Sequence, residues 1–166
     1  MDLGLEGKRA IVTGGNRGIG RCCSLALAQE GARVCIAARN QTLLDEVVGE
    51  IDAIGGEGHA VAVDLTALEG CQKVVDEAVG TFGGVDILVL NASQRGQKPF
   101  TEMSYDEWRR IIDITLDGAF FMAQASVLHM IEKGWGRIVT LGGISWHIGT
   151  KNRVHNLVAK SGLVGF

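Results

Sequence analysis

The 166-residue chain has one proline and one tyrosine, and aromatic residues occupy only 5% of its positions. It also lacks any block of lysine and arginine, and its net charge is −3. Without a basic block the electrostatics do not favour nucleic acid, so we expect no such partner. Hydrophobic residues nevertheless make up 46% of the chain, which is enough for one globular domain with its own core.

The cysteines form neither a disulfide framework nor a metal site. Cys22 and Cys23 are adjacent on a predicted helix, Cys35 lies in a predicted strand, and Cys71 is far from all three. We expect all four to be small buried hydrophobic residues in a reducing compartment. The first eight residues lack the hydrophobic region of a signal peptide, and Asp117 interrupts the longest apolar run. These absences predict a cytoplasmic location and no membrane span.

Short apolar runs alternate with longer stretches of helical periodicity. The runs predicted as strands are Lys8–Val12, Arg33–Ala38, His59–Val63, Val85–Leu90 and Arg137–Leu141. The predicted helices are Arg21–Glu30, Thr42–Ile54, Ala67–Phe82, a short and a long helix within Glu102–Lys133, and a last one from about His155. Strands that are apolar throughout are covered on both faces. The order predicts one α/β domain over residues 1–166, a doubly wound, Rossmann-like parallel sheet in three αβα layers.

A glycine-rich segment, Thr13–Gly20, joins the first strand to the first helix. Glycines allow a tight turn and close approach to a pyrophosphate, and the helix N-terminus presents N–H groups to it. Strand, glycine-rich turn and helix in this order predict a dinucleotide site. The residues of the segment that we expect at the cofactor are Gly14, Asn16, Arg17, Gly18, Ile19 and Gly20.

This segment resembles the Thr-Gly-x-x-x-Gly-x-Gly fingerprint of the short-chain dehydrogenase/reductase family, and the resemblance covers the whole chain, favouring its 3-oxoacyl-carrier-protein reductase branch. Val63-Asp64-Leu65 is similar to the stretch whose acidic residue meets the adenine ring, and Asn91-Ala92-Ser93 is similar to the family's Asn-Ala-Gly. The resemblance implies that Asp64, Leu65, Asn91 and Ala92 contact the cofactor. It also implies a small-molecule substrate and a homo-oligomer, a dimer or tetramer. The apolar stretch Ala119–Ala123 is compatible with such a contact, although an ordinary core explains it as well.

The end of the second strand distinguishes NADP(H) from NAD(H). A carboxylate there accepts a hydrogen bond from the ribose 2′-OH and repels a 2′-phosphate. The family's NAD enzymes carry Asp at the position of Ala38, whereas here Arg39 follows Ala38 and Arg17 lies in the glycine-rich segment. Arginine binds phosphate through two parallel charge-assisted hydrogen bonds. We predict NADP(H), with NAD(H) the weaker candidate; two solvated surface arginines are the alternative interpretation.

The resemblance fails at the catalytic positions. The family has a Ser that holds the carbonyl oxygen, a Tyr that donates the proton, a Lys four residues later and an Asn in the preceding helix. These positions carry Gly143, Asn156, Lys160 and Thr115, so only the lysine is retained. An asparagine amide does not titrate near neutral pH, so any proton delivery is non-standard. We expect Lys160 to bind the nicotinamide ribose; the alternative is a solvated helix lysine.

Tyr105, the only tyrosine, lies well before the Lys160 helix and does not match the donor position. The residues that could take over are His155, next to Asn156, and Ser145 and His147 in the loop after the fifth strand. His155 is one residue away from the tyrosine position, about 100° round the helix, and would point away from the face of Lys160. We expect His155 and His147 to be surface or packing residues.

Three functions stay open at this point. We favour an NADP(H)-dependent oxidoreductase that acts on a carbonyl/alcohol or acyl-thioester substrate with altered proton delivery. The alternatives are a non-catalytic NADP(H)-binding module or inactive partner subunit, and a chain with no activity of its own. The last predicted helix runs to Phe166 without a cap, which we interpret as the sign of a fragment of a longer protein.

Overall fold

The computed structural model describes residues 3–166, which contain a parallel five-stranded sheet. The strands are Arg9–Thr13 (β1), Arg33–Ala38 (β2), Gly58–Ala62 (β3), Ile87–Leu90 (β4) and Arg137–Thr140 (β5). Their order in the sheet is β3-β2-β1-β4-β5, and every neighbouring pair is parallel. The winding direction changes between β1 and β4, which is where doubly wound sheets place their ligand.

Helices connect the strands and cover both faces of the sheet. Their bounds are Gly18–Gln29 (α1), Gln41–Ala53 (α2), Leu68–Phe82 (α3), Tyr105–Ile112 (α4), Gly118–Lys133 (α5), Ser145–Ile148 (α6) and Val154–Gly165 (α7). A 3₁₀ turn at Phe100–Glu102 precedes α4, and a π-helical turn at Asp113–Asp117 joins α4 to α5. The predicted doubly wound α/β fold is confirmed.

The predicted bounds are wrong by a few residues at several ends. The fourth strand is predicted from Val85, but it begins at Ile87, although Val85 is fully buried. An apolar run signals burial, whereas a strand needs pairing, and the two do not stop at the same residue. Helix α1 begins at Gly18 rather than Arg21, so the end of the glycine-rich segment forms its first turn. Helix α6 has no counterpart among the predicted helices, because four residues are too few to show a period.

Alternate residues of β1 enter two separate cores. Ile11 packs with α3 and α5 on one face, while Ala10 and Val12 pack with α1 and α2 on the other. Cys35 and Cys71 are buried as expected, but Cys22 is exposed, so the expectation for this cysteine is wrong. It lies on the solvent side of α1, since the buried residues of that helix are Gly20, Ser24 and Ala28.

A buried ion cluster ties together the amino ends of β1 and β4. Asp86, with no exposed surface, accepts hydrogen bonds from Arg9 Nε at 2.7 Å and Nη2 at 2.8 Å, and its carboxylate lies 3.0 Å from Lys133 Nζ. Burial alone would favour the neutral carboxyl. The hydrogen bonds from Arg9 and Lys133 outweigh it and hold the pKa of Asp86 well below its usual range.

The helical stretch Tyr105–Lys133 is long and apolar enough to cross a membrane by length and composition. Within the fold it behaves as a core helix: Ala119, Met122 and Ala123 are buried in the cluster formed with α3 and the sheet. Such burial accounts for its apolar composition without a bilayer.

Candidate active site

Thr13 fastens the carboxyl end of β1 to that of β4. Its hydroxyl donates to the Val89 carbonyl oxygen at 3.1 Å and accepts from the N–H groups of Asn91 and Ala92, each at 3.0 Å. The Asn91 amide donates in turn to the carbonyl oxygens of Thr13 at 2.9 Å and Gly14 at 3.1 Å. The structure therefore brings Asn91 and Ala92 against the glycine-rich segment, and the side chain of Asn91 holds the backbone there.

Two glycines make this close packing possible. Gly14 has φ +65°, and a Cβ on it would lie 2.9 Å from Asn91 Nδ2. A Cβ on Gly20 would collide with the Gly14 carbonyl oxygen. A Cβ on Gly18, in contrast, would meet no atom within 4 Å. The turn is thus packed tightly on its protein side and open on the other, as a cradle for a pyrophosphate requires.

The N-terminus of α1 lies in this cradle without a side-chain cap. Arg17 occupies the N-cap position and makes no capping hydrogen bond. The first N–H groups of a helix have no partner inside it, and a 12-residue helix carries its positive dipole end there. Uncapped donors over a glycine-packed turn fit the pyrophosphate of a dinucleotide.

Arg17 and Arg39 are both exposed near the ends of β1 and β2. Within residues 3–166, no ion pair or side-chain hydrogen bond is made by either of them. The next residue, Asn40, caps α2 by accepting from the Leu43 N–H at 3.0 Å. Both guanidinium groups are thus available to a ligand.

The remaining cofactor positions differ in what they can offer. Asp64 is exposed and accepts a hydrogen bond from the Thr66 N–H at 3.0 Å. Leu65 is only 4% exposed and belongs to the core, so only its main chain is available to a cofactor. Asn16 is half-buried, and Ile19, in the first turn of α1, is 59% exposed.

Asn156 is not a free amide at the tyrosine position. Its Nδ2 donates to the Gln94 carbonyl oxygen at 2.8 Å, and its Oδ1 accepts from the Gly96 N–H at 3.0 Å. It therefore holds the loop after β4. At the serine position, Gly143 is exposed, and a Cβ there would meet no atom within 4 Å.

Thr115 is buried in the π-helical turn, where its hydroxyl lies 3.2 Å from that of Ser93. Both residues replace the types that the resemblance led us to expect, Asn and Gly. The two replacements contact each other although they stand 22 positions apart. No local pattern could have indicated this pair.

Lys160 is half-buried and donates from Nζ to the Leu141 carbonyl oxygen, just beyond β5. Burial lowers its pKa from the usual value, and the nearby charge of Arg95 lowers it further. It is therefore not the solvated helix lysine of the alternative interpretation. The sequence did not indicate Arg95, because nothing in a local pattern places this loop residue near α7.

The structure confirms His155 as a packing residue. It is 2% exposed, its Nδ1 accepts from the Asn156 N–H at 3.0 Å, and its ring lies against Gly96. His147 lies exposed on α6. Tyr105 begins α4 with 73% of its surface exposed, and no hydrogen bond joins it to Lys160 in the part of the chain that the structure describes.

A parallel sheet whose winding reverses at β1 and β4, with a glycine-packed helix N-terminus at that point, defines a Rossmann-like dinucleotide-binding domain. The family model for short chain dehydrogenases matches residues 8–166. The chain belongs to the short-chain dehydrogenase/reductase family.

Individual relatives agree with this assignment. The chain is 35% identical to a 3-oxoacyl-[acyl-carrier-protein] reductase FabG of Aquifex aeolicus, covering 100% of this chain and 67% of that protein. It is 36% identical to an L-rhamnose 1-dehydrogenase (NADP(+)) of Thermoplasma acidophilum, covering 99% of this chain and 65% of that protein. A crystal structure of a short-chain type dehydrogenase/reductase from Mycobacterium marinum superposes with a TM-score of 0.93 at 35% identity. The match covers 97% of this chain and 66% of that protein. The chain spans about two thirds of the length of the curated relatives it matches.

Proposed function

We propose that this chain is an NADP(H)-dependent oxidoreductase acting on a carbonyl/alcohol or acyl-thioester substrate. The observation that carries the proposal is the uncapped N-terminus of α1 over a glycine-packed turn, flanked by the exposed, unpaired Arg17 and Arg39. The names of the relatives from Aquifex aeolicus and Thermoplasma acidophilum support it. When bound, the cofactor supplies or accepts the hydride.

The residues of the chain have separate parts in this proposal. Main-chain N–H groups of α1 bind the pyrophosphate, Arg17 and Arg39 bind the 2′-phosphate, and Lys160 binds the nicotinamide ribose. Lys160 is also the only titratable group at the four positions of the family's catalytic set. Because burial lowers its pKa, its ammonium is a better acid than that of a solvated lysine. Lys160 Nζ therefore carries a proton for the substrate oxygen, which the amide of Asn156 cannot supply.

The cofactor assignment predicts a preference for NADPH over NADH that depends on Arg39. Replacing Arg39→Gln removes charge-assisted bonds to the 2′-phosphate, so the affinity for NADPH falls about tenfold or more while that for NADH stays unchanged. Titration of cofactor fluorescence measures both. Arg33→Gln, which removes the same charge at the amino end of β2, serves as the control. Equal affinity of the unmodified chain for NADPH and NADH would contradict the assignment of Arg17 and Arg39 to the 2′-phosphate.

The altered proton delivery predicts that restoring two family residues increases turnover. Asn156→Tyr supplies the proton donor but deprives Gln94 and Gly96 of their hydrogen-bond partner, in the single and the double variant alike. A Ser at position 143 has room, and only the double variant adds a group that holds the carbonyl oxygen. We therefore expect Gly143→Ser combined with Asn156→Tyr to raise ketone reduction about 100-fold, the lower range of general acid catalysis, and Asn156→Tyr alone to raise it less.

The measurement monitors NADPH oxidation with ketones, β-ketoacyl thioesters and dienoyl thioesters. Gly143→Ser alone is the matched control for the double variant. No gain in the double variant would mean that the site has been reorganised beyond these two groups. NADPH binding without turnover on any substrate would favour the non-catalytic binding module.

We propose in addition that the protein is a cytoplasmic homo-oligomer, a dimer or tetramer. Within the apolar stretch Ala119–Ala123, Ala119, Met122 and Ala123 are buried, so the alternative of an ordinary core accounts for these three. The exposed apolar residues of α5 are instead Phe120, Leu128 and Ile131. These three are spaced eight and three positions apart and so share one side of the helix.

A further inference from the structure

The loop after β4 is held to the segment before and within α7. We define residues 93–98 as the strap. Three hydrogen bonds fasten it: Asn156 Nδ2 to the Gln94 carbonyl oxygen at 2.8 Å, the Gly96 N–H to Asn156 Oδ1 at 3.0 Å, and the Lys98 N–H to the Asn152 carbonyl oxygen at 2.8 Å. All three involve even-numbered residues of the strap. Its backbone is therefore positioned along its whole length.

The odd-numbered residues of the strap are on its solvent-exposed face. Ser93, Arg95 and Gln97 are exposed, whereas the even-numbered residues between them are half-buried. This alternation is that of an extended chain with two distinct faces. Arg95 stands between the two residues whose main chains Asn156 holds, so the position of its Cα is well determined. Among the side chains that the structure describes, its guanidinium makes no ion pair and no side-chain hydrogen bond.

The exposed face of the strap lies beside Lys160. Asn156, whose amide bonds the main chain on both sides of Arg95, lies four residues before Lys160 on α7, so the two residues share a face of that helix and the strap passes over it. In agreement, the nearby charge of Arg95 lowers the pKa of Lys160. Two cations that repel each other across a site are stabilised together by an anion between them. Arg109 lies on α4, which packs against α7, but it is already paired with Asp113 and Asp117 and is not free to bind an anion.

The sequence of the strap and of the Lys160 helix contains no acidic residue, and Glu107 of α4 reaches the strap at Lys98, 3.9 Å away. Residues 91–101 and 141–166, which contribute the strap and the Lys160 helix, contain none of the chain's 19 aspartates and glutamates. They contain five of its 16 lysines and arginines: Arg95, Lys98, Lys151, Arg153 and Lys160. Although the chain has a net charge of −3, the residues contributed by these two segments favour an anion locally.

We propose that Arg95, on the strap held by Asn156, binds an anionic group of the substrate, a carboxylate or a phosphate, beside Lys160. This assignment rests on the proposed function, because the group it binds belongs to the substrate of that reaction. Arginine suits the role, since its planar fork pairs with either anion through two parallel hydrogen bonds. Asn156 is then a positioning residue, which explains why its amide is bonded to main chain on both sides of Arg95.

The test compares each anionic probe with its neutral counterpart by calorimetry on the full chain, with and without NADPH. The probes are 3-oxobutanoate against its methyl ester, and dihydroxyacetone phosphate against dihydroxyacetone. We expect the chain to bind at least one anion about tenfold more tightly than its neutral partner, and the pair that shows the preference identifies carboxylate or phosphate. A chain that prefers neither anion, with or without NADPH, overturns the proposal.

Three variants distinguish a direct contact between Arg95 and the anion from a general attraction between opposite charges. Arg95→Gln should abolish the tenfold preference, Arg95→Lys should retain part of it, and Arg33→Gln, which removes the same charge elsewhere, should leave it unchanged. Affinity for NADPH should stay within about twofold in all three, because Arg95 acts on the substrate side. An unchanged preference in Arg95→Gln overturns the inference and leaves the proposed function standing, whereas a chain that binds no NADPH counts against the proposed function alone.

Discussion

Asn156 shows how one side chain can fix a loop. The resemblance predicts a proton donor at this position, whereas both polar atoms of the amide bind main chain of the loop after β4. A tyrosine cannot make this pair of bonds, because its hydroxyl is separated from the backbone by a ring. The residue predicted at the proton-donor position is therefore also the residue that fixes the strap.

At the same scale, Asp86 predicts a strong dependence of stability on an intact ion cluster. Replacing Asp86→Asn leaves Arg9 and Lys133 without their buried anion, and we expect the free energy of unfolding to fall by about 3–5 kcal/mol. Denaturant unfolding monitored by circular dichroism measures it. Asp76→Asn, at an exposed position on α3, should change stability by less than about 0.5 kcal/mol. Equal effects of the two substitutions would show that the cluster contributes little.

The same carboxylate predicts the direction of acid denaturation. The folded-state pKa of Asp86 is lowered below the unfolded value of about 3.9, so its stabilisation is present above that value and is lost as the pH falls through the folded pKa. The unmodified chain should lose this contribution below about pH 4. The Asp86→Asn variant should show a shallower fall in that range, and a parallel fall would contradict the assignment.

At the scale of the element, α1 depends on a glycine that a helix would ordinarily disfavour. A Cβ at Gly20 collides with the Gly14 carbonyl oxygen, whereas one at Gly49, within α2, meets no atom within 4 Å. We expect Gly20→Ala to weaken NADPH binding at least about tenfold by displacing the turn. Gly49→Ala should instead stabilise the fold by up to about 1 kcal/mol, since alanine favours a helix interior.

Cofactor titration and thermal unfolding distinguish these two glycines. The matched pair makes the same change in two helices, so helix propensity alone cannot account for opposite results. If Gly20→Ala binds NADPH as well as the unmodified chain does, the close packing of the turn is not the feature that positions the N-terminus of α1.

The π-helical turn between α4 and α5 is another element with a consequence for the site. Arg109 spans it by pairing with Asp113 at its start and Asp117 at its end. A π-helical turn inserts one residue into the helical ladder and rotates the rest of the helix relative to its start. Thr115 lies within it, and the turn places the Thr115 hydroxyl beneath Ser93.

At the scale of the whole molecule, the exposed apolar side of α5 predicts self-association. Leu128 is 62% and Ile131 67% exposed, on the same side as Phe120. Burial of these side chains between two copies would remove them from water, so we expect a concentration-dependent dimer or tetramer in sedimentation experiments. Leu128→Lys should shift the equilibrium towards the monomer, and Gln72→Lys on α3 should not. Unaltered association in Leu128→Lys would place the contact elsewhere.

The sequence predicted the larger elements and the cradle because both are encoded over short distances. Apolar runs marked the strands to within a few residues, and glycines next to a strand marked the turn at Thr13–Gly20. The ends were less accurate where burial and pairing diverge, as at Val85. The Asn156 strap, the Thr115–Ser93 pair and the Asp86 cluster could not be predicted, since each joins residues that are distant in the chain.

The sequence by itself therefore determined a parallel α/β fold and a glycine-rich turn before a helix, with one arginine in that turn and one after the second strand. It also led to the prediction that Asn156 and Gly143 stand at the family's Tyr and Ser positions. Only the tertiary structure decided which groups those residues contact. It placed Lys160 at the Leu141 carbonyl, bound Asn156 to both sides of Arg95, and left Arg95 exposed. The physical reason is that side-chain periodicity depends on neighbours along the chain, whereas hydrogen bonds and charges act between whatever groups the folded sheet brings together.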